Sequence, residues 1–409
     1  MKRGKSPATR RAEINALDGA TPFGCVISGG TVTPALSPVY KGACVRPDLI
    51  YAEYLPSVGE YAVANANGFF LSSDGVNFGM VSSFPVTDPF AFAEGGAARK
   101  TVVVGANKCT KPVGNGQYML ADFDYGVKGG VIRHGRLFAI DKENGYRLRW
   151  SGRGGAFDWT VSADGAGYAD IEPKFGKILK LVVYKQRVMI FCEFGIAYLN
   201  AYGIAENFKL VYTDGVIGKI DGKTIAVAGN KIVFRADGNF YAYDGIKAEK
   251  LNIPLLGGAG ETACAAGKGE SYYLAADSKT LKRRVVFVAD VENGTAYIAD
   301  AAAKLVCAGE SVICYADDGV YALEAGGGYA VKCPKTAFGA RGRKFFKRLE
   351  YEGGGTVVAE VKTVGKSRIS AGVAGVCPIN CGGREFEITV RATDKITRLT
   401  AVAEVIDDL

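Results

Sequence analysis

Histidine is almost missing from this chain: His134 is the only one in 409 residues. A nucleophilic triad that uses a histidine base would depend on that single residue. It sits in VIRHGRLF, flanked by Arg133 and Arg136, whose charges would lower its pKa. No GxSxG elbow accompanies it, so His134 reads as structural. No apolar run approaches the roughly 18–20 residues of a membrane helix, so no membrane span is expected. The N-terminal MKRGKSPATRRAEINALDG lacks an apolar core after its basic residues and does not read as a secretory signal. The expected site of synthesis is therefore a cytoplasm. Neither a DxDxDG calcium loop nor a CxxC pair occurs, and no periodicity supports a helix longer than about two turns. SKTLKRRVV and DAAAKLV are the nearest helical candidates.

Ten cysteines are present, at 25, 44, 109, 192, 264, 307, 314, 333, 377 and 381. Cys192 and Cys314 fall inside apolar strand patterns, where a thiol acts as a small buried hydrophobe. Cys377 and Cys381, in CPINC, are the closest pair and too weak a pattern for a metal site. Reduced structural thiols are the expectation, with no metal and no cofactor.

Glycine is abundant at 55 residues, proline modest at 13, and 48% of the chain is apolar. That combination fits a large core with many tight turns. The net charge of +8 permits non-specific contact with DNA or an acidic neighbour. No sequence-specific nucleic-acid motif is visible.

Short apolar strands separated by Gly, Asp or Asn turns recur about every 40 residues, which points to an all-β propeller. The cores FFLSSDG at 69, LFAID at 137, MIFCEFG at 189, IVFRADG at 232, YYLAAD at 272 and VICYADDG at 312 align as the inner strands. From 189 onward they are spaced 43, 40 and 40 residues apart. A weak unit near 101–124 must fill the gap before 137. Six or seven blades are expected, with strands at 61–64, 68–72 and 76–81 opening the first. Residues 254–262 read as a linker.

Three regions follow. Residues 1–45 read as an N-terminal arm, carrying Lys2, Arg3, Lys5, Arg10 and Arg11; a solvated tail and a segment that orders against a neighbouring subunit fit equally. Residues 46–336 form the propeller. Residues 337–409 show clean two-residue alternation, with Val357, Ala359 and Val361 facing one way and Glu360 and Lys362 the other, and read as a small C-terminal β-sandwich.

Motifs that carry chemistry are scarce. Gly267-Lys268-Gly269 lacks the spacing of a phosphate-binding loop and reads as an ordinary loop. Asp74, Asp214, Asp221, Asp237, Asp244 and Asp318 each precede a glycine, and turn chemistry accounts for them. Trp150 and Trp159 flank SGRGGAFD. They read as strand anchors, one in each of two blades, or as a stacking pair for a sugar or a base.

The series RLFAID, YRLRWSG and FDWTVSADGAGYADI, then GKILKLVVYKQRVMIFCEFGIAYLNAYGIAENFKLV and GKTIAVAGNKIVFRADGNFYAYDG, resembles β-propeller proteins of tailed-phage virions, of the tail nozzle and tail-closing type. FFKRLEYEGGGTVVAEV and GGREFEITVRATDKITRLTAVAEV resemble the sandwich that ends such chains. The likeness spans about 131–251 and, more loosely, about 344–406; nothing before about 120 matches. It implies a structural, non-enzymatic virion component of the tail or neck, present in several copies, contacting other virion proteins around the DNA conduit. It implies no catalytic residues. A glycan- or protein-binding propeller is the alternative, and a propeller glycosidase or lyase the third reading.

Overall fold

The computed structural model describes residues 9–44, 48–94, 100–105, 107–114, 117–123, 125–162, 164–213, 218–339, 342–353 and 355–406. Lys2, Arg3, Lys5 and Asp214 lie outside the described residues. The chain divides into two compact units, one of residues 40–294 and 301–322, the other of 1–39, 295–300 and 323–409.

A seven-bladed β-propeller is formed by the first unit with two outermost strand segments, 295–299 and 37–39, that are grouped with the second; six of its blades are separate four-stranded sheets. The first blade runs Tyr51–Leu55, Glu60–Asn65, Gly68–Ser72 and Gly79–Ser83. The second runs Phe90–Glu94, Lys100–Gly105, Lys108–Gly114 and Gln117–Asp122. The third is Val127–Arg133, Arg136–Asp141, Arg147–Trp150 and Gly167–Asp170. The fourth is Ile178–Tyr184, Arg187–Cys192, Ile196–Asn200 and Lys209–Tyr212. The fifth is Ile220–Ala228, Lys231–Ala236, Asn239–Tyr243 and Ala248–Lys250. The sixth begins at Ala259–Lys268 and continues through Ser271–Ser278, Arg283–Asp290 and Thr295–Ala299. The seventh joins Leu305–Ala308, Val312–Ala316 and Gly319–Glu324 to an early strand, Ser37–Gly42, as its outermost member. The first strands of the blades touch in sequence, and that of the seventh touches that of the first, so the ring closes. Closure removes the exposed edges that so many strands would otherwise present.

Each blade's second strand packs between the neighbouring blades. Both of its faces are covered, so it reads as a continuous apolar run: Arg136–Asp141 and Val312–Ala316 are buried throughout. The aligned sequence cores are therefore second strands, not inner ones. FFLSSDG is the exception, since Gly68–Ser72 is the third strand of its blade; Glu60–Asn65 is the second. With Glu60–Asn65 and Lys100–Gly105 in place, the gap before 137 is filled by a complete blade. Residues 76–81 only partly overlap the fourth strand, Gly79–Ser83. Within 254–262, a short helix Pro254–Gly257 leads directly into the sixth blade at Ala259. SKTLKRRVV forms a turn and then the strand Arg283–Asp290, while residues 300–303 have no regular structure.

The second unit is a β-sandwich, and it corrects the reading of 1–45 as an arm. Thr9–Asn15 pairs along Ile396–Ile406, from Thr9 opposite Ile406 to Asn15 opposite Thr400. The same sheet holds Cys25–Ser28, Thr31–Pro34, Lys344–Gly353 and Val376–Gly383. The facing sheet holds Thr21–Phe23, Tyr329–Lys332, Glu387–Ala392, Val357–Thr363 and Lys366–Ala371. Strand pairing thus recruits residues 9–34 into the sandwich, while 37–42 complete a blade. Its C-terminal portion begins near Leu323 rather than at 337. Phe338, Phe346 and Phe386 meet in the core at 5.4–5.9 Å between ring centroids, tilted or edge-on. Val357, Ala359 and Val361 face inward as expected.

Candidate functional site

In a four-stranded antiparallel blade the turns after the first and third strands fall on one face, here called the front face. Its first turns are tight. His134 and Gly135 (φ 49° and 72°) and Lys185 and Gln186 (φ 45° and 71°) occupy two-residue turns whose central residues both have positive φ. Neighbouring blades are laced together at this rim. Tyr184 Oη donates to the carbonyls of Asn230 and Asp244, Gly229 N to Gly269 O, and Lys268 Nζ to Glu310 O. Gly267 and Lys268 end a strand and Gly269 opens a turn, with no helix following, so the motif does not cradle a phosphate.

A depression of about 1490 Å³ opens beside this rim between blades one and three. Lys100, Lys111, Arg133, His134 and Arg153 line it together with Glu53, Glu94 and Asp158. Two of these carboxylates already serve the fold. Glu94 Oε1 accepts the Ala156 N–H at 2.9 Å, and Asp158 Oδ1 accepts the Thr160 N–H at 3.1 Å. Arg133 Nε is buried and has no hydrogen-bond partner among the described residues. The His134 pKa is lowered by burial, then by the charges of Arg133 and Arg153, against a backbone hydrogen bond with Gln186. His134 is thus a turn residue in a positive field. Its ring meets Tyr202 edge-on at 5.8 Å.

Glu53 lies deeper, on the first inner strand. It keeps an exposed surface, yet the surrounding ring of strands desolvates its carboxyl, and that raises its pKa. Tyr51 Oη donates to it, and the Lys180 cation from the fourth blade opposes the rise. Lys180 Nζ donates to Ile225 O at 2.7 Å, and burial lowers its own pKa. Glu53 and Lys180 thus each oppose, in part, the shift that burial gives the other.

Beside the depression the front face carries exposed apolar side chains on three successive blades. Val161 is 78% exposed, Tyr202 82%, Ile204 41% and Ile246 82%. All four sit in turns after third strands. Arg153 Nη2 reaches Gly203 O at 3.1 Å and joins the two regions. The sequence reading missed these residues, because an apolar residue beside a glycine turn does not announce its exposure.

The tryptophans prove structural, but both belong to the third blade and to its front-face loop. Trp150 meets Phe208 of the fourth blade at 5.3 Å, and Trp159 meets Phe123 and Tyr125 beside the second at 5.6 and 5.4 Å. Both are buried and cannot stack a sugar or base from solution. Asp74, Asp237 and Asp244 serve turns as expected: Asp74 Oδ1 accepts the N–H groups of Val76 and Asn77 at 2.8 Å, and Asp237 and Gly238 form a tight hairpin turn. Among the described residues no cluster of His, Cys, Asp and Glu could hold a metal ion. No described helix is long and apolar enough to cross a membrane.

No protein-family model and no curated protein matches the sequence. Among solved structures, the chain is similar to BBS1N, crystallised in complex with ARL6DN, at 8% identity over 73% of this chain and 97% of that one, with a TM-score of 0.44. It is similar to the β-propeller domain of Myceliophteria thermophila Cps50 (Swd1) at 11% identity over 70% and 98%, with a TM-score of 0.48. Kluyveromyces lactis Hsv2p aligns at 10% identity over 61% and 96%, with a TM-score of 0.34. At such identities the likeness concerns fold alone, and the order of the sheets establishes a seven-bladed β-propeller with a β-sandwich.

Proposed function

We propose that the chain is a non-catalytic β-propeller that docks partner proteins, and that it does so as a structural component of a tailed-phage virion. The observation that carries the docking reading is the row of exposed apolar residues, Val161, Tyr202, Ile204 and Ile246, across three adjacent blades of one face. Exposed apolar groups that cluster mark interaction surfaces. The virion placement rests on the sequence resemblance over the third to fifth blades. In this reading the protein is made in a host cytoplasm and assembles in several copies at the tail or neck, against other virion proteins. Its net charge of +8 suits non-specific contact with packaged DNA.

The test is assembly. Light scattering of the full chain reports self-association, and co-expression with the products of the genes flanking its own reports partner binding. A ring, or a stable complex with a neighbouring gene product, supports the reading. A monomer that binds none of those products overturns it.

A further inference from the structure

The apolar row does not stand alone on the front face. The depression beside it presents four cations, Lys100, Lys111, Arg133 and Arg153, of which Arg153 also pairs with the half-exposed Asp164 at 3.5 Å, and two of its three carboxylates already accept backbone N–H groups. Arg133 keeps a buried Nε without an acceptor among the described residues. An unpaired buried donor is costly unless an incoming group completes it. Burial first, and then the charges of Arg133 and Arg153, lower the pKa of His134 at the edge of the depression. The two regions are continuous, since Arg153 bonds to Gly203 and His134 touches Tyr202.

We propose that this face takes an acidic segment of a partner protein, an assignment that rests on the docking reading above. Carboxylates of the segment meet Arg133 and Arg153 in the depression. An aromatic or aliphatic side chain of the same segment lies on Tyr202, Ile204 and Ile246. A nucleic-acid strand fits less well. Glu53, Glu94 and Asp158 line the same depression and would oppose a phosphate chain, and three of the four apolar residues of the row, Val161, Ile204 and Ile246, are aliphatic, which leaves Tyr202 as the single ring of the row for a base to stack on. A peptide can instead offer its own N–H donors to those carboxylates.

The test pans a random 12-residue peptide display library against the immobilised full chain, then measures an enriched synthetic peptide by fluorescence anisotropy. Enrichment of Asp or Glu beside an aromatic or aliphatic residue is expected. Affinity should weaken on adding salt. It should fall about tenfold or more in R133Q/R153Q and in Y202S/I246S, which corresponds to about 1.4 kcal/mol or more for each pair. F194S, in the turn after a second strand and so on the opposite face, should leave it unchanged. R153Q and Y202S alone serve if a double variant does not fold. No enrichment, enrichment without acidic residues, or binding indifferent to these variants overturns the proposal. So does tighter binding of a labelled oligo-dT 20-mer that the same variants abolish. A chain that selects acidic peptides but neither self-assembles nor binds its genetic neighbours would overturn the virion reading and keep this one.

Discussion

The Arg136 guanidinium donates to the Ser151 carbonyl at 2.8 Å, while Ser151 Oγ accepts the N–H of Leu137 at 2.9 Å. The two residues belong to the Arg-Leu and Trp-Ser pairs that stand out in the sequence of the third blade. Arg136 is 1% exposed and also bonds to the carbonyls of Gly165 and Asp164 and, at 2.5 Å, to the Asp164 carboxylate. One side chain thus pins both ends of the long front-face loop. Arg136→Met should lose about 3 kcal/mol, because it strands the buried carbonyls of Ser151 and Gly165. Urea unfolding checks the magnitude. Proteolysis should begin within 151–166, and Arg136→Lys should recover only part of the loss, lacking the forked donor.

The outermost strand of the seventh blade is seated by a close approach. A Cβ on Gly319 would come within 2.4 Å of the Tyr40 ring and 3.0 Å of Gly42 O on the closing strand. Tyr40 and Tyr321 meet edge-on at 5.6 Å across the same pair of strands. Gly319→Ala should cost about 1–2 kcal/mol through overpacking. Tyr40→Ala in the same chain should return part of that loss, since it removes the nearer clash. A thermal double-mutant cycle reads the coupling; strictly additive effects would place the strain elsewhere.

The second strands were legible because burial on both faces writes an unbroken apolar run, as in MIFC and IVF. The first blade was misread because its third strand, with Phe69 and Phe70, is more apolar than its second. The N-terminal strand was not legible at all. TRRAEIN carries three charges, and its partner lies almost the whole chain away, so no local pattern signals the pairing. The front face was hidden for a different reason: Tyr202 and Ile246 sit in turns like those of buried residues, and only the shared position of turns after third strands gathers them. The charged residues around His134 could be read as its neighbours, but Arg153, one of the two that set its field, is distant in sequence.

The cysteines should resist thiol reagents until the chain unfolds. None is in a disulfide. Burial pushes the thiols of Cys25, Cys109, Cys192 and Cys333 up to about 12, and that of Cys264, which accepts the Val306 N–H, to about 11. The reactive thiolate is therefore scarce at pH 8. Native protein should react slowly and in substoichiometric amount, and urea-unfolded protein without reductant should yield ten thiols. Fewer than ten would reveal pairing.

Acid should loosen the front face through Asp244. Its carboxylate Oδ1 accepts the N–H groups of Ile246 and Lys247 at 2.8 and 2.9 Å, and these bonds, that of Lys247 foremost, hold its pKa below the ordinary aspartate value. Asp170, bonded to Arg147, and Asp277, bonded to Arg284, are lowered in the same direction. A folded-state pKa below the unfolded one means that the unfolded chain binds more protons near and below pH 4, so stability rises with pH there. The contribution is complete above the unfolded value of about 4 and is lost as pH falls through the lower, folded value. Melting temperature should drop most steeply below about pH 4, where these aspartates titrate; the lowered His134 and the raised Glu53 act with opposite signs at higher pH. Asp244→Asn keeps an oxygen acceptor but removes the charge, so the variant should show a shallower drop. Amide exchange at Ile246 and Lys247 should then become less sensitive to acid than in the parent. An unchanged acid slope in the variant would remove Asp244 from the set of groups that govern it.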